Sequence, residues 1–391
     1  MQNLALQNAR SISPDNSTIR VLHLSAGNMY GGIETALTNL ARLKHLSSTM
    51  VQEFGLCFHG RQRDELIAED VPVHDLDAVR LSRPWTILAA RARLRNILVH
   101  AKFDAVITHG SWIHCIAGPV VRKCGIPLVT WVHGTLDASR PLERMASWTT
   151  PDLIIANSMH SQRAASKVFT RSPMEVFYFP ISAPNETLDA DTRALKRQVL
   201  GVQENQKVIL LASRMEACKG HVTLLESLSK LKRRNDWVCW IVGKSQRPSE
   251  ESYLSSIEST VRELELSNRI KFLGHRNDIP ELMRLCDLFC QPNSTPDSFG
   301  IAFIEALYAG LPVVTSNIGG GAEIIDSTCG ILTEPNNCTG VAQAIESLLD
   351  DADRLRQLSS KGPRRADELC NPQRQFGKLE TMLRKVPFNR M

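Results

Sequence analysis

Short, continuous apolar runs alternate with longer amphipathic stretches along most of the chain, and this alternation restricts its fold more than any other feature. A run that is apolar at every position is typical of a strand covered on both faces, and such strands occur in parallel sheets flanked by helices. The sequence therefore predicts a doubly wound α/β architecture. In the first half, the predicted strands are Ile19–Ser25, Val51–Phe58, Val71–Leu76, Ala105–Thr108, Leu128–Val132, Leu153–Asn157 and Val176–Phe179, with helices at Glu34–Leu46 and Pro84–Ala101.

A polar break divides the alternation into two halves. Pro180–Leu188 is rich in Pro, Ser and Asn, which indicates a linker. We therefore predict two doubly wound domains, residues 1–184 and 185–371, that face each other across a cleft. A tail helix at about 372–391 is expected to pack back on the first domain. In the second half, the predicted strands are Lys207–Ser213, Trp237–Val242, Arg269–Leu273, Asp287–Gln291, Pro312–Ser316 and Gly330–Thr333, with helices at Gly220–Arg234, Glu250–Leu266 and Gly300–Ala309.

Charge and cysteine content narrow the class of function. The chain has 46 Lys and Arg residues and 41 Asp and Glu residues, and the resulting net charge of +5 is too small for a dedicated nucleic-acid binder. The ten cysteines include no CxxC pair, so Cys286 and Cys290 are predicted to be small buried residues. The DxD triplets at 75–77, 189–191 and 351–353 do not lie in a convincing metal site. We expect no bound metal and a reducing compartment.

The chain is expected to be cytoplasmic, without a membrane-spanning segment. Its first twenty residues lack the apolar run of a signal peptide. Ser298–Asn317 is nearly long enough to cross a bilayer, but Gly310 and Pro312 divide it into a predicted helix and strand. Arg80–Lys102 combines basic residues with an amphipathic pattern. That pattern suits either peripheral contact with anionic lipid at the inner face of the membrane or a helix that packs on the sheet with a solvated basic face.

Two cations follow the first predicted strand of the second half. Arg214 and Lys219 lie five positions apart in a loop that ends at Gly220. A planar guanidinium and a compact ammonium together suit a diphosphate, so this loop is a candidate anion clamp. A solvated loop with incidental charges is the alternative reading.

The segment Pro296–Glu305 is the most informative in the chain. Ser298, Phe299 and Gly300 should open a helix, where free backbone N–H groups can bind an anion or sugar hydroxyls. Glu305 lies farther inside this helix among apolar neighbours, and a carboxylate there is costly unless it is hydrogen-bonded. Two vicinal hydroxyls of a ribose would satisfy both of its oxygens.

Weaker signals follow other predicted strands. Gly319–Gly321 precedes a helix, and a glycine run there permits close approach of the backbone to a ligand, although a tight turn is the alternative. In the first half, the Gly31-Gly32 loop with Glu34 opens a helix but does not form GxGxxG, so no dinucleotide fingerprint is present. His133 follows a predicted strand, where it could hydrogen-bond a sugar.

Together these segments resemble the retaining family 4 glycosyltransferases, whose GT-B architecture consists of two Rossmann-like domains. The resemblance extends from Val21 to about Leu349 and covers nearly the whole chain. It implies transfer of a sugar from a nucleotide-diphosphate sugar to an acceptor hydroxyl, in glycan, polysaccharide or glycolipid biosynthesis. No metal or other cofactor is implied, and we expect a monomer. The resemblance rests on Gly31-Gly32, His133, Arg214 with Lys219-Gly220, Asp297 with Glu305, Gly319-Gly320 with Glu323, and Cys329–Leu332.

The resemblance also implies a role for each site residue. Arg214 and Lys219 would bind the diphosphate and stabilise it as it leaves. Glu305 would hold the ribose hydroxyls, and His133 would contact the donor hexose near the reacting carbon. Asp297, Ser298 and the Phe299–Gly300 backbone would bind the donor sugar, while Gly31, Gly32 and Glu34 would border the acceptor.

Asp297 departs from the family pattern, which has a glutamate at this position. The carboxylate keeps its charge but is shorter by one methylene, about 1.5 Å. Two other functions therefore remain open. A nucleotide-sugar 2-epimerase of the same architecture would need further acid/base carboxylates, which the sequence does not reveal. A degenerate protein would bind the nucleotide without catalysis.

Overall fold

The computed structural model describes residues 18–27, 31–80, 82–184, 188–245 and 247–386. Contacts between residues divide the chain into two compact units. Unit 1 holds the described residues up to Pro180 together with those from Asn371 onward, and unit 2 is Ile181–Cys370. The sequence had predicted these boundaries at 184 and 371. Part of the predicted linker, residues 185–187, and nearly all of the first twenty residues lie outside the described ranges.

Unit 1 is built on a parallel sheet with the strand order β3-β2-β1-β4-β5-β6-β7. The order reverses between β1 and β4, because the chain adds strands on one side of β1 and then returns to the other side. Loops that follow these two strands therefore leave a crevice at the carboxyl edge. The elements in chain order are β1 (Ile19–Ser25), α1 (Gly32–Arg42), β2 (Met50–Leu56), α2 (Arg61–Ala68), β3 (Val73–Asp75), α3 (Pro84–His100), β4 (Ala105–His109), α4 (Ser111–Lys123), β5 (Leu128–Val132), α5 (Pro141–Ala146), β6 (Leu153–Ala156), α6 (Met159–Ala165) and β7 (Met174–Val176).

Unit 2 repeats this plan, with the strand order β10-β9-β8-β11-β12-β13 and a reversal between β8 and β11. The pairs are again parallel, for example β8 with β11 and β11 with β12. The elements are α7 (Ala190–Val199), β8 (Lys207–Ala212), α8 (His221–Lys230), β9 (Trp237–Val242), α9 (Pro248–Glu263), β10 (Ile270–Gly274), α10 (Ile279–Leu285), β11 (Leu288–Gln291), α11 (Ile301–Tyr308), β12 (Val313–Ser316), α12 (Gly321–Ile324), β13 (Gly330–Thr333), α13 (Cys338–Asp350) and α14 (Ala352–Cys370).

The last helix, α15 (Pro372–Arg384), belongs to unit 1 although it follows unit 2 in the chain. It begins where Asn371 accepts a hydrogen bond from the Arg374 N–H at 3.0 Å and Pro372 occupies the first turn, both favourable at a helix start. Its Glu380 carboxylate accepts hydrogen bonds from Ser47 at 2.9 Å and Thr49 at 2.6 Å, beside β2. The helix therefore completes unit 1 from the far end of the sequence.

The cores follow from the apolar runs that predicted the strands. In unit 1, Leu22 and Leu24 of β1 pack with Leu94 of α3 and Val121 of α4. In unit 2, the strands β8 and β9 contribute to a buried cluster with α8, α9 and α13. Burial on both faces explains why these strands are apolar at every position.

Two sequence predictions need comment. The predicted strand Val176–Phe179 is displaced, since β7 ends at Val176. Phe177 and Phe179 are buried because they pack on Trp131, Phe177 edge-on and Phe179 stacked, rather than because they extend a strand. The stretch Ser298–Asn317, which is nearly long enough to cross a bilayer, was predicted to form a helix and a strand. The structure confirms this prediction with α11 and β12. Within the described ranges, each helix is too short or too polar to cross a bilayer.

Candidate functional site

In unit 2, the loops after three neighbouring strands converge at the carboxyl edge of the sheet. Lys219 follows β8, Asp297 follows β11, and the glycine run follows β12. The Lys219 ammonium nitrogen lies 2.6 Å from Oδ2 of Asp297. This pair sits beside the point where the strand order reverses, which is where open α/β sheets bind ligands.

Arg214, the second predicted cation, is also paired with a carboxylate. Its guanidinium lies 2.9 Å from Oε1 of Glu216, two residues along the same loop. Both cations predicted for the diphosphate therefore have a counter-charge in the structure. The arrangement balances the charge of the unliganded loop and leaves two cations that an anionic ligand could take over.

The backbone around Gly220 explains why this loop ends in a glycine. Gly220 has a φ of +77°, and a Cβ at this position would lie 1.9 Å from the carbonyl oxygen of Pro292. The neighbouring Ser294 donates hydrogen bonds to the carbonyls of Cys218 at 3.0 Å and Ala217 at 3.2 Å. The loop that carries Lys219 is thus held against the loop that leads to Asp297.

The glycine run at 319–321 agrees with the tight-turn alternative, since Gly319 and Gly320 lie in a turn. A Cβ on Gly319 would lie 2.4 Å from the carbonyl oxygen of Asp297, and one on Gly320 would lie 2.5 Å from Cα of Phe299. The Gly320 N–H also donates to the Asp297 carbonyl at 2.8 Å. These glycines permit close approach to the 297–299 backbone of the protein itself, because any side chain would collide with that segment.

The segment Ser298–Gly300 leads into α11 as predicted, with the first helical residue at Ile301. Ser298 N–H donates to Oδ1 of Asp297 at 2.9 Å, and Gly300 at the start of the helix has a φ of +100°. The Phe299 ring is buried. A ligand at this position would therefore meet the backbone of Phe299 rather than its side chain.

Glu305 is an unusual carboxylate. Burial raises its pKa to about 7. Within the described ranges its carboxyl group has neither a hydrogen bond nor an ion pair. A half-buried acid with such a pKa and no compensating contact is typical of functional sites, because a ligand can supply the missing hydrogen bonds.

The predicted acceptor residues of unit 1 lie at the start of α1, after β1. The Glu34 carboxylate accepts a hydrogen bond from the Gly31 N–H at 3.0 Å, so it caps the first turn of the helix. The backbone of Gly31 is extended, and a Cβ there would approach the Glu34 carboxylate no closer than 3.7 Å. A conformational reason does not explain this glycine. Apart from the bond between Gly31 and Glu34, the structure records no contact that brings Gly31 or Gly32 against a predicted site residue within the described ranges.

His133 follows β5 and is buried, with an exposed fraction of 9%. Its Nε2 lies 2.8 Å from Nδ1 of His109, whose Nε2 in turn lies 3.0 Å from Nδ1 of His23. Sequence reasoning missed both partners. The sequence contains little to identify His23 and His109, because each is a single histidine in a mostly apolar strand. The sequence also does not show that these two strands and β5 lie side by side in the sheet.

Sequence reasoning also missed Glu216 as the partner of Arg214, although the two lie in one loop. The pairing of Lys219 with Asp297 joins residues 78 positions apart and depends on the strand order. Among the described residues, no group of three or more His, Cys, Asp or Glu side chains is placed to hold a metal ion.

Two family models match the chain and together cover most of it. Residues 30–182 match the model described as Glycosyltransferase Family 4, and residues 192–365 match Glycosyl transferases group 1. The matched ranges coincide with the main parts of unit 1 and unit 2. They also include every predicted site residue.

Curated relatives are about a quarter identical to this chain over the aligned residues. One is a UDP-Gal:alpha-D-GlcNAc-diphosphoundecaprenol alpha-1,3-galactosyltransferase of Escherichia coli, 26% identical, with 69% of this chain and 72% of the relative covered. Another is a GDP-mannose-dependent alpha-(1-6)-phosphatidylinositol monomannoside mannosyltransferase of Mycobacterium tuberculosis, 28% identical, with 76% and 72% covered.

A solved structure has the same fold over nearly its whole length. Anabaena HepE in complex with UDP and glucose aligns with a TM-score of 0.83 at 24% identity, covering 93% of this chain and 99% of that one. The double α/β plan derived from the strand order is therefore found in a protein crystallised with a nucleotide and a sugar.

Proposed function

Because this chain belongs to the family 4 glycosyltransferases with the GT-B fold and uses a nucleotide-sugar donor, we propose that it moves a sugar to an acceptor hydroxyl with retention at the anomeric carbon. The bond between the sugar and the diphosphate breaks, a bond to the acceptor oxygen forms, and the acceptor proton leaves with the nucleotide diphosphate. The observation that carries the proposal is the convergence of Lys219 and Asp297 at the strand reversal of unit 2.

The diphosphate is assigned to Arg214 and Lys219. Their present partners, Glu216 and Asp297, would share or release them when the more highly charged diphosphate binds. Once bound, the two cations stabilise the negative charge that develops on the leaving group, which is the step a cation can accelerate most. Since this charge compensation comes from side chains, we propose that transfer needs no metal ion.

The nucleoside is assigned to Glu305. Its carboxylate lacks a partner within the described part of the chain, and its raised pKa reflects that lack of compensation. Two ribose hydroxyls would donate to its two oxygens and make the ionised form stable where it is now unfavourable. The relatives named above differ in nucleobase, since their names give UDP-Gal and GDP-mannose as donors.

The sugar and the acceptor are assigned to the remaining predicted residues. Asp297, Ser298 and the Phe299–Gly300 backbone are proposed to bind the transferred sugar, and His133 is proposed to hydrogen-bond it. The start of α1, with Gly31, Gly32 and Glu34, borders the acceptor. The acceptors named for the relatives are a GlcNAc-diphosphoundecaprenol and a phosphatidylinositol monomannoside. For this chain we propose an acceptor hydroxyl in glycan, polysaccharide or glycolipid biosynthesis and a monomeric, cytoplasmic enzyme.

Peripheral membrane contact through residues 80–102 is a second proposal. The inner face of α3 is buried through Ala90, Leu94 and Leu98, which agrees with the reading in which the helix packs on the sheet. Its outer face exposes Trp85, Leu88 and Val99. Arg91, one of the basic residues of this stretch, donates to the carbonyls of Cys115 and Ile116 at 3.0 and 2.9 Å.

The test of this contact uses the exposed face. Trp85→Ser and Leu88→Ser together should reduce sedimentation with vesicles that contain anionic phosphatidylglycerol. Equal sedimentation of the variant, or none by the unaltered protein, would end the proposal.

The experiment for the main proposal has two stages. Nucleotides and nucleotide sugars are first screened for an increase in melting temperature, since a ligand that binds only the folded state stabilises it. The active donor is then incubated with acceptor hydroxyls, and released nucleotide and product configuration are measured. Lys219→Ala and Glu305→Gln should weaken both responses, whereas Lys230→Ala, an exposed lysine on α8, should not.

The outcomes separate the alternatives. The matched families and the named relatives are glycosyltransferases, so the epimerase reading has no support from them. Product with the anomeric configuration inverted would refute retention. Strong nucleotide binding without release in any acceptor mixture would indicate the degenerate protein and overturn the proposed catalysis.

A further inference from the structure

Three histidines form a hydrogen-bonded row across neighbouring strands of unit 1. His23 lies on β1, His109 ends β4, and His133 follows β5, and these strands are adjacent in the sheet. The two N···N distances along the row are 3.0 and 2.8 Å. Their exposed fractions are 1%, 5% and 9%, so the row runs from the core toward a slightly exposed end at His133.

Aromatic packing fixes the three rings. Successive ring centroids are 5.2 and 5.0 Å apart, with interplanar angles of 20° and 28°. Phe54 stacks on His23 at the inner end, and Trp131 and Phe179 stack on His133 at the outer end. The rings therefore keep their edges aligned, and neither hydrogen bond can be exchanged for another by rotation of a ring.

The row is uncharged at neutral pH. Burial lowers the pKa of His23 and of His133 to about 3, and burial, followed by its two neighbours, lowers that of His109 as well. A neutral imidazole carries one N–H and one bare nitrogen. Since His109 uses both nitrogens in the row, the position of its single proton fixes the direction of both hydrogen bonds.

Only two neutral proton arrangements satisfy both bonds. In the first, each ring carries its proton on Nδ1, so His23 donates to His109, His109 donates to His133, and His133 Nδ1 is left as a donor. In the second, each ring carries its proton on Nε2, the bonds run in the opposite direction, and His133 Nδ1 is left as an acceptor. The three histidines must therefore share one tautomer.

The outer end of the row is open within the described part of the chain, whereas the inner end faces an amide. Nδ1 of His133 is buried there without a hydrogen-bond partner, and the buried Gln52 side chain is the group that can hydrogen-bond His23. Exchange between the arrangements requires a proton to leave one end and another to arrive at the opposite end. Because His23 is almost wholly buried under Phe54, such exchange is expected to be slow, and the row holds one arrangement.

We propose that His23 and His109 are positioning residues that fix the tautomer of His133 and so decide whether its Nδ1 donates a hydrogen bond to the transferred sugar or accepts one from it. This inference rests on the proposed function, since the sugar is the ligand assigned there to His133. The benefit is orientation without charge: a lone neutral histidine would divide its population between two tautomers, and only one of them suits a given sugar atom.

The first test needs neither substrate nor variant activity. Long-range 1H–15N correlation spectra of the full chain, labelled in its eleven histidines, distinguish Nδ1–H from Nε2–H rings. His23, His109 and His133 should show the same tautomer at neutral pH. The proposal would be overturned if the three rings showed different tautomers or if one of them were doubly protonated. Because the protein is unliganded, this result stands whether or not the glycosyltransferase proposal succeeds.

The second test uses His109→Phe, which keeps an aromatic ring of similar size and removes both hydrogen bonds. The signals of His23 and His133 should change, while His114→Phe, which alters a buried histidine bonded to Thr130 outside the row, should leave them unchanged. Failure of the His109→Phe protein to fold would leave the first test as the deciding one.

Kinetics then separate positioning from mere stability. His109→Phe should lower kcat in the unaltered protein and cause no further loss in a His133→Phe background, because it acts only through His133. Additive losses would assign His109 a structural role and overturn the proposal. Absence of transfer by the unaltered protein would refute the proposed function instead.

Discussion

Lys219 and Asp297 form an ion pair with 2.6 Å between Nζ and Oδ2, although they lie in loops that follow different strands. Their side chains are 18% and 21% exposed, so the pair is sheltered but reachable. The cation assigned to the diphosphate is thus held by the acidic residue at which this chain departs from the usual glutamate of the family. When the donor binds, its diphosphate must either displace this carboxylate from Lys219 or bind beside it.

Lys219→Ala should reduce turnover more than binding. The loss of one cation that stabilises the leaving group is expected to cost about 2.7–4 kcal/mol, or on the order of 10²–10³ in kcat. Steady-state kinetics with the donor found in the screen measure this loss, and Lys230→Ala is the control for removal of an exposed lysine. Full turnover by Lys219→Ala would remove this residue from the mechanism.

Asp297→Asn should strengthen binding of the free nucleotide diphosphate. The substitution removes a competitor for Lys219, and a pair of this exposure is worth up to about 1 kcal/mol, so affinity should rise by up to about fivefold. Calorimetry with UDP or GDP measures the change. Asp278→Asn, which breaks an ion pair with Arg276 elsewhere in unit 2, is the matched control and should have no effect. Weaker binding by Asp297→Asn would mean that the carboxylate orders the site rather than competing in it.

Nucleotide binding should depend on pH through Glu305. Burial raises the pKa of this carboxyl from 4.5 to about 7, and its ionised form can accept both ribose hydroxyls. Affinity should therefore rise between about pH 6 and pH 8, and Glu305→Gln should remove that rise. Titration of the nucleotide's own phosphate contributes equally to both proteins and cancels in the comparison. The same pH dependence in both would exclude Glu305 from the site.

The stability of the unliganded protein should show the opposite dependence. Because the folded pKa of Glu305 lies above the unfolded value, the folded state binds more protons between 4.5 and about 7, and stability increases as pH falls through this range. Glu305→Gln should therefore raise the melting temperature more at pH 8 than at pH 5.5. Glu346→Gln, at an exposed position of α13, should raise it at neither.

Gly220→Ala should destabilise unit 2 and impair donor binding together. The substitution places a side chain at a φ of +77° and a Cβ 1.9 Å from the Pro292 carbonyl oxygen. Gly274→Ala separates the two effects, since Gly274 has a φ of +64° with no atom within 4 Å of such a Cβ. Backbone strain alone costs about 1–2 kcal/mol, so the midpoint of urea denaturation should fall further for Gly220→Ala. Equal urea midpoints for the two variants would show that the loop at Pro292 can move away from the added Cβ at little cost in stability.

Glu380→Gln should loosen α15 in unit 1. Hydrogen bonds to Thr49 and Arg384, among others, hold the pKa of this carboxyl below its usual value despite the opposing effect of burial. It should therefore contribute stability above pH 4.5 that is lost as pH falls through the lowered folded pKa. Loss of its charge-assisted bonds should cost about 1.5–3 kcal/mol at pH 7. Amide hydrogen exchange in α15 measures this; unchanged protection, as expected for Glu346→Gln, would contradict it.

Much of the fold could be predicted from local pattern, and the site only in part. Trp237–Val242 is apolar throughout and was predicted with its observed bounds, because burial on both faces leaves a plain signature. The opening of α11 after Ser298–Gly300 was likewise predictable. By contrast, the roles of Gly319 and Gly320 depend on which backbone lies opposite them, and the sequence alone left ligand contact and a tight turn as alternatives.

The pairings that matter most join distant parts of the chain. Lys219 meets Asp297 only because β8 and β11 are neighbours, and His23, His109 and His133 align only because β1, β4 and β5 are. Apolar periodicity predicts that strands exist and that they are parallel, but not their order. The partner of each site residue therefore depends on the tertiary structure and cannot be read from local sequence pattern.

The position of α15 has a consequence for biosynthesis. A ribosome releases the strands of unit 1 first, but the helix whose Glu380 binds Ser47 and Thr49 emerges only after all of unit 2. Unit 2 is continuous in the chain and can mature during translation, whereas unit 1 must wait with these hydroxyls uncovered. The amino-terminal half of the nascent polypeptide is therefore the later one to reach its complete structure.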